Sequence, residues 1–246
     1  MKKFLIITLV LVLAAGSIIF VFTQRPSESD LESLNYVYDC CAACCYGSFE
    51  EVSDYAEEAA PVFEAVLQNN LFEYWDKSKF YKLEKTYEEE RAFANSDADK
   101  TQRQTVFFTD VVVTYFKLLL SSGEYEKYQQ AFLAYYPKIY PEQAYAQRFI
   151  HCLRDSGAMP DAAFYEIEKG FEALCELCPE TEDKFICLMS LDAMYRLLRE
   201  GSEVPDSITQ RRNAAMKGVE RGFSVFTWNG FDVKAAGVEH HTVLNG

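Results

Sequence analysis

Thr105 to Leu120, TVFFTDVVVTYFKLLL, leaves this chain less freedom than any other stretch: sixteen residues in which only Asp110 and Lys117 are charged. A helix that is apolar nearly all round has to be covered on most of its faces, so the segment predicts the central helix of a core. Its two charges and its length argue against a membrane span, which needs about 20 apolar residues. The β-branched run Val111 to Val113 would also suit a buried strand. No alternating partner lies nearby, and helix is the expectation.

Phe4 to Phe22, FLIITLVLVLAAGSIIFVF, is the other long apolar run, with no charge at all. As a helix it would extend ~28 Å, close to the ~30 Å hydrocarbon thickness of a bilayer. Lys2 and Lys3 precede it, and Arg25 is soon followed by Glu28, Asp30 and Glu32. This bias places the N-terminus in the cytoplasm and the rest across the membrane, as a single-pass cell-membrane protein. The rival reading is a cleaved signal peptide, with Ala14 and Gly16 as the small pair and a secreted product starting near Ser17. Nineteen residues exceed the about 7 to 15 of a signal's apolar region, which favours the anchor. Leu13 to Gly16 resembles a bacterial lipoprotein signal, but Ser17 stands where the acylated Cys belongs. The division expected is anchor 1–23, polar linker 24–29, helical domain 30–222, and a β-hairpin with loose tail 223–246.

A chain that is 49% hydrophobic has ample apolar material for one substantial core or two small ones. The net charge of −14 repels phosphate backbones, which makes nucleic acid a poor partner. Eight cysteines, at 40, 41, 44, 45, 152, 175, 178 and 187, fit a disulfide-permissive compartment without being required for folding at this size.

Along the chain, capping pairs and apolar periodicity outline about eight or nine helices. Ser29 with Glu32 opens one carrying Leu31, Leu34, Tyr38, Cys41 and Cys45, which stops near Gly47. Ser48 with Glu51 opens the next, which Pro61 kinks or restarts; Asn70 with Glu73 opens a third bearing Phe80, Leu83 and Tyr87. Asn95 to Asp99 reads as a loop. Ser122-Gly123 reads as a tight turn before a helix faced by Tyr125, Tyr128, Phe132 and Tyr135 that lasts until Pro137. Further helices are expected over 142–154, 160–178, 180–200 and 205–221, with Pro160 and Pro205 in first turns. Val225 to Lys234, turning at Asn229-Gly230, has the pattern of a β-hairpin.

Around residues 106–140, Gly123 at a turn, Phe132 at a packing position and Ser156-Gly157 repeating Ser122-Gly123 after 34 residues resemble a tetratricopeptide-type helical hairpin. Phe116 and Tyr128 stand where that family keeps small residues, Val112 where it keeps Trp, and Pro141 falls one place late. The resemblance implies paired, stacked helices and a protein-binding role. None of the family's groove residues carries over.

The cysteine cluster at 40–45 and the pair Cys175 and Cys178 are the candidate chemical sites. Cys41 with Cys44 share a helix face and offer soft thiolate ligands, but one helix cannot aim four sulfurs at one metal, so Cys175 and Cys178 would have to join them. Disulfides and buried idle thiols are the alternatives. Cys175-x-x-Cys178 falls at a helix end, not at the helix start that a thioredoxin-type site requires. His151, His240 and His241 form no ligand motif, and neither a nucleophile elbow nor a phosphate loop occurs, so no catalytic or cofactor-binding residue is named. Arg211, Arg212, Lys217 and Arg221 make the last helix basic: either a surface for an acidic partner, or a face paired with Glu88 to Glu90 or solvent. The function expected is a membrane-anchored extracytoplasmic helical scaffold for a protein or peptide. An extracytoplasmic thiol, metal or redox protein is the alternative.

Overall fold

The computed structural model describes residues 26–44, 47–79, 81–82, 97–139, 143–154, 156, 158–178, 181–199 and 203–216. They are helical, with no strand among them: α1 Glu28–Cys44, α2 Phe49–Gln68, a 3-10 segment Leu71–Lys77, α3 Asp97–Ser121, α4 Tyr125–Tyr135, a 3-10 turn Tyr136–Lys138, α5 Gln143–Arg154, α6 Asp161–Leu177, α7 Thr181–Leu198 and α8 Asp206–Met216. The Phe4–Phe22 anchor and the 225–234 hairpin lie outside the described residues. Among the described residues, no helix is long and apolar enough to cross a membrane.

α3 sits where its composition requires. Every residue from 111 to 120 is buried, and α1, α2, α4, α5 and the first 3-10 segment all pack on it. Burial on all sides leaves Lys117 fully enclosed, and its Nζ donates to the carbonyl oxygens of Cys44 and Gly47, each at 2.6 Å. Those carbonyls belong to the end of α1 and the turn after it. A helix end has carbonyls without intrahelical partners, so a cation carried by a neighbouring helix closes α1. α7 is the second centre, touching α5, α6 and α8.

The helix boundaries show local chemistry at work. Ser48 and Glu51 form the expected reciprocal cap: the Glu51 amide donates to Ser48 Oγ at 3.1 Å and the Ser48 amide to Glu51 Oε2 at 2.7 Å. At α1 the cap is not Ser29–Glu32 but Ser27–Asp30, with amide-to-side-chain distances of 3.1 and 2.8 Å. Asp30 closes the same reciprocal pair two residues nearer Pro26, and α1 gains residues at its start.

Pro61 neither ends nor restarts α2. Both it and Glu57, whose carbonyl loses its amide partner, are exposed, so water can take that carbonyl. Asn70 does bond to Glu73, at 2.8 Å, but it stands at φ 51, a left-handed conformation that cannot start an α-helix, and a 3-10 segment follows. Phe80, Leu83 and Tyr87 lie outside the described residues. Helix α3 begins inside the expected 95–99 loop, at Asp97.

The Ser122-Gly123 turn is a Schellman motif. Gly123 has φ 75, its amide donates to Leu120 O at 3.4 Å, and the Glu124 amide donates to Leu119 O at 2.9 Å. It reverses the chain into α4, which packs back on α3. Its packing departs from the tetratricopeptide pattern where the sequence does: Phe116 and Tyr128 meet edge to face at 5.7 Å across the α3–α4 contact. Pro160 precedes α6 as its cap residue instead of opening its first turn. α8 is described as far as Met216.

Candidate functional site

Cys41 and Cys44 are buried in the face that α1 turns to α2 and α3, and Cys40 is half-buried; Cys45 lies outside the described residues. Tyr36, one turn earlier on α1, is hydrogen-bonded with Cys40, and Tyr55 of α2 with Cys44. Burial and then a hydrogen bond with Cys40 push the Tyr36 phenol up to about 12. Burial pushes the Cys40 thiol up as well, so it stays protonated and is a poor nucleophile or ligand near neutral pH.

Cys175 and Cys178 are elsewhere, at the end of α6, which packs on α4 and α7. Among the described residues, no group of three or more Cys, His, Asp or Glu is arranged to hold a metal ion. The four sulfurs at 41, 44, 175 and 178 are therefore not one site. His151 is half-buried on α5, and His240 and His241 lie outside the described residues.

The structure adds Cys187, from the second turn of α7. Its sulfur lies 3.7 Å from that of Cys178, and its thiol is also hydrogen-bonded with Cys175. No disulfide joins the seven described cysteines. Sequence spacing had no means of adding Cys187, because the α6–α7 connection brings it back onto the end of α6.

The basic residues of α8 are paired internally. Arg211 makes two bonds to Glu172, at 2.8 and 2.6 Å, and the fully buried Arg212 is bonded to the equally buried Asp192, which also accepts from Arg196 at 2.9 Å. The expected Glu88 to Glu90 lie outside the described residues, as do Lys217 and Arg221.

Asp110, one of the two charges in the central apolar run, is held bidentately by Arg148 of α5, with Nη2 2.7 Å from Oδ2. Burial outweighs that attraction and pushes its carboxyl up to about 6. The folded chain therefore keeps this proton above pH 3.8, where the unfolded chain releases it. A group that binds its proton more tightly when folded loses stabilisation as pH rises through that window. Stability should fall by on the order of 2–3 kcal/mol between pH 4 and pH 6 from this group and level off above. Urea melts of wild type and Asp110→Asn across pH 4 to 7 check this: the difference between them carries the slope, and parallel profiles would contradict it.

One open recess is a groove of about 150 Å³ between α2 and α4, lined by Glu64, Gln68, Tyr115, Lys127, Gln130, Ala131, Ala134 and Tyr135. Tyr115 of α3, 3% exposed, is its floor, and the other two helices are its walls. Burial and then Glu64 push both tyrosine phenols up, so they remain hydroxyl donors. Glu64 accepts from Gln68 at 2.8 Å, and Lys127 pairs with Glu124 on its own helix. The recess thus offers a carboxylate, the Lys127 ammonium, two phenol hydroxyls, two amides and a patch of small apolar surface at Ala131 and Ala134. No pair of groups here is poised as nucleophile and base, and the chemistry available is recognition. One signal was readable in α4, where Lys127, Ala131, Ala134 and Tyr135 recur at helical spacing on a face partly given to small residues. Nothing local linked them to Glu64 or Tyr115. The chain matches no known family, no curated protein and no solved structure.

Proposed function

We propose that the chain is a membrane-anchored helical scaffold, held by Phe4–Phe22, whose extracytoplasmic domain binds a peptide segment of a partner protein in the α2–α4 groove. The observation that carries this reading is the groove itself: tyrosine hydroxyls and amides around small apolar residues, with the Glu64 carboxylate and the Lys127 ammonium among its lining groups. Tyrosine supplies contact area and hydrogen bonds at low entropic cost and is enriched at protein interfaces. The net charge of −14 draws cationic segments in preference to anionic ones. The occupant is therefore a peptide with a Lys or Arg for Glu64 beside an apolar side chain for Ala131 and Ala134. The resemblance of residues 106–140 to tetratricopeptide-type hairpins, which serve as protein-binding units, supports the same reading.

Peptides selected from a random displayed library against the full chain provide the test. Enrichment of a basic-apolar motif is expected, and Ala134→Arg, which fills the groove from an exposed position, should weaken binding about tenfold or more without altering the melt. Selected peptides that bind Ala134→Arg as tightly as wild type would overturn the proposal.

A further inference from the structure

We propose that Cys178 and Cys187 form a reversible disulfide site, oxidised by a small disulfide of the glutathione class, with Cys178 as the thiol that reacts first.

Three observations lead there. The two sulfurs already lie 3.7 Å apart, so rotations of two short side chains bring them to bonding distance. Cys178 follows the last residue of α6 in extended backbone, φ −68 and ψ 115, and is 9% exposed, whereas Cys175 and Cys187 have no exposure. Its neighbours Glu176 and Leu177 are exposed, Leu177 at 66%. Of the three cysteines, Cys178 is the one with exposed surface. The Cys178 amide is bonded to Leu174 O at 3.0 Å, which holds the backbone while the side chain moves.

The chemistry closes without any further reactant. The Cys178 thiol loses its proton and its thiolate attacks one sulfur of the small disulfide; the S–S bond breaks and one glutathione thiolate leaves. The Cys187 thiol then attacks the Cys178 sulfur, the second glutathione leaves as a thiolate, and the two protons given up by the protein end on the two glutathione thiols. Two protein thiols are oxidised by two electrons and one small disulfide is reduced to two thiols. Hydrogen bonds with Cys175 and Cys178, followed by burial, push the Cys187 thiol up, which is consistent with its entering second. Cys175, fully enclosed, stays a thiol. The product would tie the end of α6 to the second turn of α7, the helix that presents Ser190 to Tyr136 and Asp192 to Arg212.

The experiment incubates the folded full chain with oxidised and reduced glutathione at varied ratios, quenches with acid, alkylates the remaining thiols and maps the peptides by mass. Expected is one internal bond joining Cys178 to Cys187, reversed by dithiothreitol and retained in Cys175→Ala. In Cys187→Ser the expected product is a glutathione adduct on Cys178. The oxidised chain should melt higher by roughly 5 °C, as closure of a ten-residue loop implies. Full alkylation of both Cys178 and Cys187 at every ratio would overturn the proposal. So would a bond that forms only between other cysteines, or one that forms only after unfolding. The wild-type map decides the matter even if a variant fails to fold.

Discussion

Phe132→Ala should cost ~3–5 kcal/mol of folding stability. Phe132 has no exposure and is the ring that five other aromatics of α3 to α6 share. Tyr136 stacks on it at 4.6 Å with planes 15° apart, Phe171 meets it edge to face at 5.1 Å, and Phe116, Tyr128 and Phe149 lie 5.5, 5.6 and 6.1 Å away. These rings come from α3, α5, α6 and the turn after α4 as well as from α4 itself, so truncating one side chain opens a hole where four helices meet. The wall opposite is rigid too: a β-carbon placed on Gly170 would lie 3.0 Å from the Phe132 ring. Collapse into the cavity is therefore restricted, which places the cost toward the upper end of the range. Chemical denaturation followed by circular dichroism measures it, with Phe132→Leu as the milder companion. A loss below ~1 kcal/mol for the alanine variant would mean that the aromatic cluster is not the organising contact.

The second large effect is electrostatic. Asp192→Ala leaves Arg212 enclosed with its carboxylate removed, which should cost about 3–5 kcal/mol. Burial pushes the Asp192 carboxyl up and the Arg212 guanidinium down, each against the pull of its partner. Both shifts say that taking the pair out of water costs more than the attraction returns. The double change Asp192→Leu with Arg212→Met should therefore recover most of the loss, since it removes both charges together. Melts of Asp192→Leu, Arg212→Met and the double supply a complete cycle. Additive losses would show that the two residues act independently and would contradict the buried pair.

What the sequence made legible was whatever depends on neighbours in the chain. The Ser48–Glu51 cap, the Ser122-Gly123 reversal and the burial of 111–120 each follow from a few adjacent residues whose preferences agree. Where two local solutions were equally available, the pattern was ambiguous: Ser27–Asp30 and Ser29–Glu32 both satisfy the cap rule, and only the structure distinguishes them. Asn70 shows a third case, in which the right side-chain pairing occurs on the wrong backbone conformation.

The candidate sites were least legible because each is made by packing. The groove joins Glu64, Tyr115 and Lys127, from three helices. Cys187 reaches Cys178 only once α7 folds back on α6. Lys117 looked like an interruption of an apolar run, yet it is the cation that closes α1. A lone charge in a segment that must be buried was a usable sign that a partner existed, though not of which one.

Hydrogen exchange of the full chain with and without a selected basic-apolar peptide tests the binding account most directly. Added protection is expected in the amides of α2 around Glu64 and Gln68 and of α4 from Lys127 to Tyr135. Protection confined to α6, α7 and α8, with those two segments unchanged, would contradict it.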